Sequence, residues 1–360
     1  MSLSISQTLL VAVAITDKPD MVSLMTRMSH RAQTTVAQWA RRFARSSGRY
    51  SFRIALVVFF GGFILFNTRS AENKTKLAAD RMAIPQSSYA SPAIAEKPRV
   101  YAWLSPRNMA KTAPLCERIE PPTGYERLRT AHGSFGDWLR HLPTWPADTP
   151  VTTAKRKVVL KPDDKTLAAV IALQPGSARV LDASNMLLRL RAEYLWAGGV
   201  LDNVQFHFTS GHVSKWSDWA AGKRPAVKGR KVDFHDERPP DASRDSFCSY
   251  LETIFQFSSP YSILDDTRPV EDGSISPGDI FLNPALRKGY ALIVLDVAHE
   301  TGNASAPAVR ILLGTGGTPP QTLHVLRAAD GSPWFAVSQS HGVTVPGRGV
   351  LQFKHLRRWK

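Results

Sequence analysis

Ser184, His324 and Asp296 are the side chains from which a nucleophile, a base and an orienting carboxylate could be assembled. A serine attacks a carbonyl only when a neighbouring base takes its proton, and histidine is the usual base near neutral pH. However, a serine in the first turn of a helix commonly caps that helix, and a histidine within an apolar strand commonly has a structural hydrogen bond. We therefore keep all three as catalytic candidates while preferring the structural interpretation, and a hydrolase that pairs His324 with a carboxylate such as Asp296 stays open as the alternative.

The remaining histidines do not follow a metal-binding spacing. His207 and His212 flank the end of a predicted strand, and His235 adjoins Asp236 and Glu237. No pair has the four-residue helical spacing of a hydrolytic zinc site. The glycine-rich stretch 314–318 lacks the Lys-Ser/Thr end of a phosphate-binding loop, so it is predicted to be a turn. The sequence predicts neither a metal nor a cofactor.

The chain has two cysteines, Cys116 and Cys248, too few for a disulfide scaffold or a Cys-rich zinc module. Cys248 lies on a predicted amphipathic helix, where a small buried thiol is expected. A Cys116–Cys248 disulfide would need an oxidising compartment and close approach of the two residues, and the sequence does not establish that approach. The pairing is left open.

The elements that would position these residues are helices followed by strands. Leu181, Leu188 and Leu195 recur every seven residues, which predicts a helix over about 182–196. Residues 204–208 alternate between polar and apolar types, as a half-buried strand does. Further helices are predicted at 134–142, 216–222 and around 247–255, and further strands at 157–160, 168–173, 278–282, 290–297, 309–313 and 322–326. This order predicts an α+β fold in which a mostly antiparallel sheet packs on helices.

The uncharged apolar run 54–66 indicates export from the cytoplasm. A helix of that length spans roughly 20 Å, less than the ~30 Å hydrocarbon core, so residues 54–68 form either a transmembrane helix or a signal h-region. A retained anchor is preferred over cleavage. The arginines that precede the run should stay in the cytoplasm: Arg41, Arg42, Arg45, Arg49 and Arg53. The predicted location is the bacterial inner membrane, with the C-terminal domain in the periplasm.

This location divides the chain into four predicted segments. A basic cytoplasmic segment, 1–53, precedes the apolar span, and a flexible linker, 69–115, leads to a globular domain, 116–360. Lys plus Arg number 46 against 30 Asp plus Glu, giving a net charge of +16 and favouring anionic partners. The basic end 354–360 is either solvated or in contact with lipid headgroups or cell-wall phosphates. Nucleic acid is disfavoured as a partner because export separates the domain from DNA.

Six segments of the predicted domain occur in an order that resembles the bacterial family catalogued as domain of unknown function 4846. They are 189–195, 208–211, 216–224, 278–281, 291–298 and 319–324. The resemblance extends over about residues 117–359. Members of that family usually have a cysteine at the start of the long helix and a histidine at the start of the strand that follows Gly-Asp-Val-Phe. This layout is similar to the NlpC-type, papain-like cell-wall peptidases, in which a helix terminus and an imidazole lower the pKa of the thiol.

This sequence departs from the family at both positions. Ala183 stands where the cysteine is expected, and Tyr290 stands where the histidine is expected. Alanine has no nucleophile, and a phenol with a pKa near ~10 is a poor base at neutral pH. The resemblance therefore implies a non-catalytic relative that binds peptidoglycan, another anionic envelope polymer or a protein partner in an inherited groove. The candidate groove residues are Ala183, Asn185, Trp216, Arg224, Asp279, Tyr290, Gln321 and His324. Asp279 and Asp296 could line that groove or pair with Arg191 inside the fold.

Overall fold

A computed structural model describes residues 101–173, 183–271, 274–285, 289–302, 308–317, 320–338 and 340–360. The chain divides into two compact units, and all of these residues belong to the second, Met82–Lys360. Both large hydrophobic cores of the described residues therefore lie within this one unit. The predicted membrane or signal segment 54–68 falls outside the description. Within it, no helix combines the length and apolar character needed to cross a bilayer.

The long predicted helix is confirmed. It is observed as α4, and its leucines are buried because they recur on the side that faces the sheet. The described helices are α1 (Pro106–Met109), α2 (Leu115–Arg118), α3 (Phe135–Arg140), α4 (Ala183–Gly198), α5 (Trp216–Ala220), α6 (Arg244–Phe257) and α7 (Pro260–Asp266), with short 3₁₀ turns at Leu201–Asn203 and Phe353–His355. Helices α3 and α6 begin where Ser134 and Ser243 accept a hydrogen bond from a backbone amide of the first turn.

The strands are short except for two at the centre of the domain. They are β1 (Ala113–Pro114), β2 (Tyr125–Arg127), β3 (Pro143–Thr144), β4 (Val151–Thr152), β5 (Val158–Leu160), β6 (Leu167–Val170), β7 (Gln205–His207), β8 (Val213–Lys215), β9 (Lys223–Lys228), β10 (Lys231–Asp236), β11 (Thr267–Pro269), β12 (Ile280–Asn283), β13 (Tyr290–Glu300), β14 (Val309–Thr315), β15 (His324–Leu326), β16 (Trp334–Ala336), β17 (Val343–Val345), β18 (Gly349–Leu351) and β19 (Leu356–Trp359).

Nine of these strands form the main sheet, in the order β11-β19-β12-β13-β14-β15-β6, with β16 paired to β14 and β2 paired to β13. Every pairing in this sheet is antiparallel. The predicted α+β class with a mostly antiparallel sheet is therefore confirmed. The long central strands β13 and β14 carry apolar residues on both of their faces because the sheet is covered on both sides.

The two faces of the sheet contact different cores. Along β13, Ala291, Ile293 and Leu295 pack in the main core with α4, whereas Leu292 and Val294 pack in a second core on the opposite face. This separation follows from the period of two along a strand. Any functional role assigned to a β13 side chain therefore depends on which of the two faces it occupies.

The amino-terminal edge of the domain lies earlier than the sequence analysis placed it. Residues 101–115 were assigned to the flexible linker, yet Tyr101 is 6% exposed and Leu115 is 1% exposed, and both belong to the main core. The Tyr101 hydroxyl donates to the carbonyl of Trp138 at 3.1 Å. This stretch has no sustained apolar period, so no local pattern indicated that Tyr101 and Leu115 would be buried. The linker cannot extend to residue 115.

The two cysteines are not joined. Both thiols are free, and Cys248 is exposed on α6 and not buried in the core as expected. On this helix the apolar residues Phe247, Tyr250 and Leu251 face inward, and Cys248 falls beside that stripe. Burial of part of each side chain raises the pKa of both the Cys116 and the Cys248 thiol. Neither is thus an activated nucleophile.

Candidate functional site

The start of α4 packs closely against the end of β14. A side-chain carbon at Gly316 would lie 3.6 Å from Ala183 Cα and 3.5 Å from Met186 Cβ, which is ordinary van der Waals contact and places Gly316 directly against the helix start. Ser184 and Asn185 are both buried in the same turn. The Asn185 side-chain amide donates to the carbonyl of Phe255 at 3.1 Å, which fixes α4 to α6. A helix start thus meets a glycine-rich strand end.

Gln321 lies beside this junction. Its side chain is folded against Gly317 so closely that a carbon added there would be 1.7 Å from Gln321 Nε2. Gln321 is 9% exposed, and its Oε1 atom has no hydrogen-bond partner among the described residues. A buried amide oxygen without a donor costs roughly 1–3 kcal/mol, unless another molecule supplies the donor. We name Ala183, Met186, Gly316, Gly317 and Gln321 the helix-start cluster.

Tyr290 does not join the helix-start cluster. It packs against the second core, whereas Ala183 packs against the main core, so the sheet separates their side chains. The Tyr290 hydroxyl lies 2.7 Å from His355 Nδ1 and accepts a hydrogen bond from the Gln352 amide at 3.2 Å. The expected groove that brings Ala183 and Tyr290 together is therefore divided, because position 290 shares its face with Leu292 and not with Ala291.

His324 is also held on the far side from α4. Its neighbours Leu323 and Val325 belong to the main core, so strand alternation turns the imidazole to the other face. His324 is 1% exposed, and its Nδ1 lies 3.0 Å from the carbonyl of Thr322. Burial lowers the pKa of His324 to about 4, with a further contribution from Arg348. The imidazole is neutral at pH 7 and points away from Ser184.

Asp296 is fully engaged by cations. Its carboxylate forms ion pairs with Arg127 and Arg140, the latter with Nη2 at 2.6 Å from Oδ1, and it also accepts the backbone N–H of Val297. Asp296 is 1% exposed. Both carboxylate oxygens are thus occupied by donors inside the fold. Asp296 is not placed to orient His324, because α3 and β2 supply its partners.

Asp279 has the same kind of role where the chain enters β12. Arg358 donates to both of its oxygens, at 2.6 and 2.7 Å, and the amide of Ser276 donates at 2.8 Å. This bidentate pair fastens β19 to the entrance of β12. Neither aspartate pairs with Arg191, which instead lies over the rings of Phe135 and Tyr194 at 5.4 and 5.5 Å.

Trp216 and Arg224 are not groove residues either. Trp216 is 2% exposed and packs edge-on against Phe247 and Tyr250, with ring centroids 5.2 and 5.7 Å away. Arg224 stacks over the ring of Trp219 at 3.8 Å and donates to that residue's carbonyl. Both side chains stabilise the packing of α5 on β9 and α6. Of the groove candidates, Ala183, Asn185 and Gln321 remain near the start of α4.

A histidine–carboxylate pair that the sequence analysis did not identify connects β7 to α7. His207 Nδ1 lies 2.6 Å from Asp266 Oδ1, and the His207 amide also donates to that carboxylate. Burial is the main effect on Asp266 and raises the pKa of its carboxyl. The two residues are far apart in sequence, so no local spacing indicates the pair. Among the described residues, no group of three or more His, Cys, Asp or Glu side chains is arranged to hold a metal ion.

Comparison with known proteins gives one match. The family model described as "Domain of unknown function (4846)" matches residues 115–358, which is more than half of the chain. No curated protein and no solved structure matches the chain. The match begins at Leu115, the first residue of α2, and ends within β19, which lies between β11 and β12 in the main sheet. The chain therefore belongs to the DUF4846 family.

Proposed function

We propose that this protein is a non-catalytic binding module of the bacterial cell envelope, tethered to the inner membrane through residues 54–68. Its ligand binds at the helix-start cluster. One observation carries the proposal: the cluster contains the buried Oε1 of Gln321, which has no hydrogen-bond partner among the described residues, and at Ala183 it contains no nucleophile. On this proposal a ligand N–H or O–H donates to this oxygen and so removes its desolvation penalty.

The other catalytic candidates already have hydrogen-bond or ion-pair partners inside the fold, which favours binding over hydrolysis. A base must reach the proton that it takes, and its pKa should lie near the working pH. His324 has a pKa of about 4 and is enclosed, while Arg127 and Arg140 occupy the carboxylate of Asp296. The Tyr290 hydroxyl is engaged with His355. These groups stabilise the fold, and among the described residues none of them forms a nucleophile–base pair beside Ala183.

The packing of α4 on β13 is the feature shared with the layout of a papain-like, NlpC-type enzyme, whereas the separation of Tyr290 from Ala183 by the sheet departs from that layout. In such enzymes a helix that begins with the nucleophile packs on an antiparallel sheet. Here α4 begins at Ala183 and packs on the face of β13 that carries Ala291 and Ile293. The likeness is one of layout, so it suggests ancestry and a ligand class but assigns no activity. On this proposal the ligand is a peptide-bearing fragment of peptidoglycan, since its amide N–H groups suit the Gln321 oxygen.

The test is titration of soluble muropeptides into the fragment 82–360, with Gln321→Met as the probe variant. Methionine keeps the side-chain volume but removes the amide oxygen. We expect Gln321→Met to weaken binding by roughly tenfold, the value of one hydrogen bond to a buried acceptor. The same change should leave the free domain as stable as before, or about 1 kcal/mol more stable, because an unpaired polar atom is lost. Calorimetric titration and urea unfolding measure the two effects.

The matched control is Gln352→Met, which alters an exposed glutamine far along the chain. It should change neither binding nor stability. Equal binding by the Gln321→Met variant and the parent would remove the helix-start cluster as the site. Release of peptide or sugar products by the parent fragment, followed by chromatography, would refute the non-catalytic proposal.

The alternative is an active envelope hydrolase, first considered with His324 and a carboxylate. The His207–Asp266 pair now fits that alternative better, because a carboxylate at 2.6 Å would hold the imidazole with Nε2 available. Labelling of the fragment by a fluorophosphonate probe, abolished by His207→Asn, would favour it. Absence of labelling at millimolar probe leaves binding as the function.

A further inference from the structure

The β4–β5 hairpin displays basic and apolar side chains together at the surface. We propose that this segment, residues 153–161, docks on an anionic phospholipid bilayer; we call it the basic hairpin. Val158 and Val159 are 49% and 42% exposed, and they are adjacent in sequence among the few large apolar side chains exposed in the described residues. The four exposed cations around them are Lys155, Arg156, Lys157 and Lys161.

The cations of the basic hairpin are unneutralised. None of the four has an acidic partner within 4 Å among the residues that the structure describes. The nearest acidic residues in sequence are Asp163 and Asp164, and the latter accepts hydrogen bonds from the amide and hydroxyl of Thr166 at 2.8 and 2.6 Å. The hairpin therefore presents a positive surface to any anionic layer.

The local backbone explains why two adjacent valines are exposed. The register between β4 and β5 shifts by one residue, with Thr152 opposite Val158 and Val151 opposite Leu160. Such a bulge re-aims neighbouring side chains. At the tip, Arg156 adopts φ 60°, and its amide donates to the carbonyl of Thr153 at 2.8 Å. The turn is thus completed by a non-glycine residue in the left-handed backbone conformation.

The base of the basic hairpin is firmly attached to the domain. Thr322 donates its amide and its hydroxyl to the carbonyl of Thr152, at 2.9 and 3.0 Å, and Thr153 is bridged to Gln321. A rigid base keeps the tip from folding back to bury its valines. The same attachment places the hairpin beside the helix-start cluster, so docking would hold that cluster close to the membrane.

Apolar residues among cations distinguish a bilayer from a soluble anion. Lysine and arginine near an anionic leaflet each contribute about 1 kcal/mol of attraction, and apolar side chains gain free energy by entering the interface. A soluble polyanion would use the charges but would leave Val158 and Val159 in water. The β9–β10 hairpin has cations at its tip, Lys228, Arg230 and Lys231, without a large exposed apolar residue there. It serves as the internal control.

The experiment is co-sedimentation of the fragment 82–360 with large vesicles at low salt. This fragment lacks the apolar run 54–66 and contains all of the described core residues, so its lipid binding reports the domain alone. Vesicles of phosphatidylglycerol and phosphatidylcholine should bind the fragment, and vesicles of phosphatidylcholine alone should not. Joint replacement Lys155→Gln, Arg156→Gln and Lys157→Gln should lower partitioning by about two orders of magnitude. Val158→Ser with Val159→Ser should lower it about tenfold while the net charge is unchanged.

Joint replacement Lys228→Gln, Arg230→Gln and Lys231→Gln removes the same number of charges from the control hairpin. Retained binding by this variant supports the proposal, and an equal loss overturns it because only net charge would then matter. Displacement of the fragment from vesicles by millimolar inorganic phosphate would indicate a phosphate site and would also overturn it. So would stronger binding to single-stranded DNA than to the vesicles. Failure of the muropeptide titration would leave this result unaffected.

Discussion

Asp296 illustrates how a residue with catalytic chemistry can serve the fold. A buried carboxylate that receives two guanidinium groups is electrically satisfied, and its removal leaves the arginines without a counter-charge. Asp296 is 1% exposed, and Arg127 and Arg140 also donate to backbone carbonyls nearby. The site is therefore a junction between β13, β2 and α3. Chemistry at this position would require breaking that junction.

Replacement Asp296→Asn should destabilise the domain by about 3 kcal/mol, because two mostly buried guanidinium groups lose their counter-charge while the side-chain volume is kept. Asp218→Asn is the control, since the Asp218–Lys223 pair is more than one third exposed on both sides and should cost under about 1 kcal/mol. Urea unfolding of the fragment 82–360 measures both. Similar losses for the two variants would show that the Asp296 cluster contributes no more than a surface pair.

The residue types in the sequence indicated which side chains could be catalytic. They did not indicate which ion-pair or hydrogen-bond partners these side chains would have in the fold. Asp279 and Asp296 were predicted either to line a groove or to pair with Arg191, and both instead pair with other arginines. Their partners Arg358, Arg127 and Arg140 could not be identified, because an arginine far along the chain gives no local signal. The Tyr290–His355 contact is hidden for the same reason. The sequence alone showed that Ala183 and Tyr290 replace the family cysteine and histidine. It did not show which side chains surround these two positions.

At the scale of elements, the entrance to β12 depends on one glycine. Gly278 has φ +96°, and a carbon added to it would lie 2.7 Å from Phe135 Cδ1 in α3. Gly278→Ala should therefore cost about 3 kcal/mol, from both backbone strain and overpacking. Gly331→Ala is the matched control, because Gly331 has φ +82° in open space and should cost about 1 kcal/mol. Thermal and urea unfolding measure the loss of stability in each variant. Equal losses would mean that the Phe135 ring moves aside to accommodate the added methyl group.

Element positions followed from the sequence more reliably than element faces. The hydrophobic period predicted α4 within two residues at each end, and strands at β12, β13, β14 and β15 were all anticipated. On β13, however, residues 290–298 are apolar on both faces except for Asp296. Because polar and apolar residues do not alternate there, the sequence does not indicate which face meets α4, and the orientation of Tyr290 could not be predicted. The β9–β10 hairpin was missed because its residues are mostly polar.

For the molecule as a whole, histidines that are buried or partly buried set the response to acid. Burial lowers the pKa of His324 to about 4, and it also lowers the pKa of His299 and of His355. In each case the unfolded chain binds a proton at a higher pH, near 6.5, than the folded protein does. Acid therefore favours the unfolded state. Asp266 acts in the opposite direction, because burial raises the pKa of its carboxyl and the folded state prefers its protonated form.

The unfolding free energy should consequently rise between pH 4 and pH 6.5 and level off above that window. For His324 alone, the difference between a pKa of about 4 and one near 6.5 corresponds to about 3 kcal/mol. His324→Asn keeps a donor for the Thr322 carbonyl but cannot take up a proton, so it should remove most of this slope. His341→Asn changes an exposed histidine and should leave the slope as it is. Urea unfolding of the fragment 82–360 at half-unit pH intervals tests this. Parallel slopes for the parent and His324→Asn would place the acid sensitivity elsewhere, and the enclosed position of His324 would then not govern the stability of the domain.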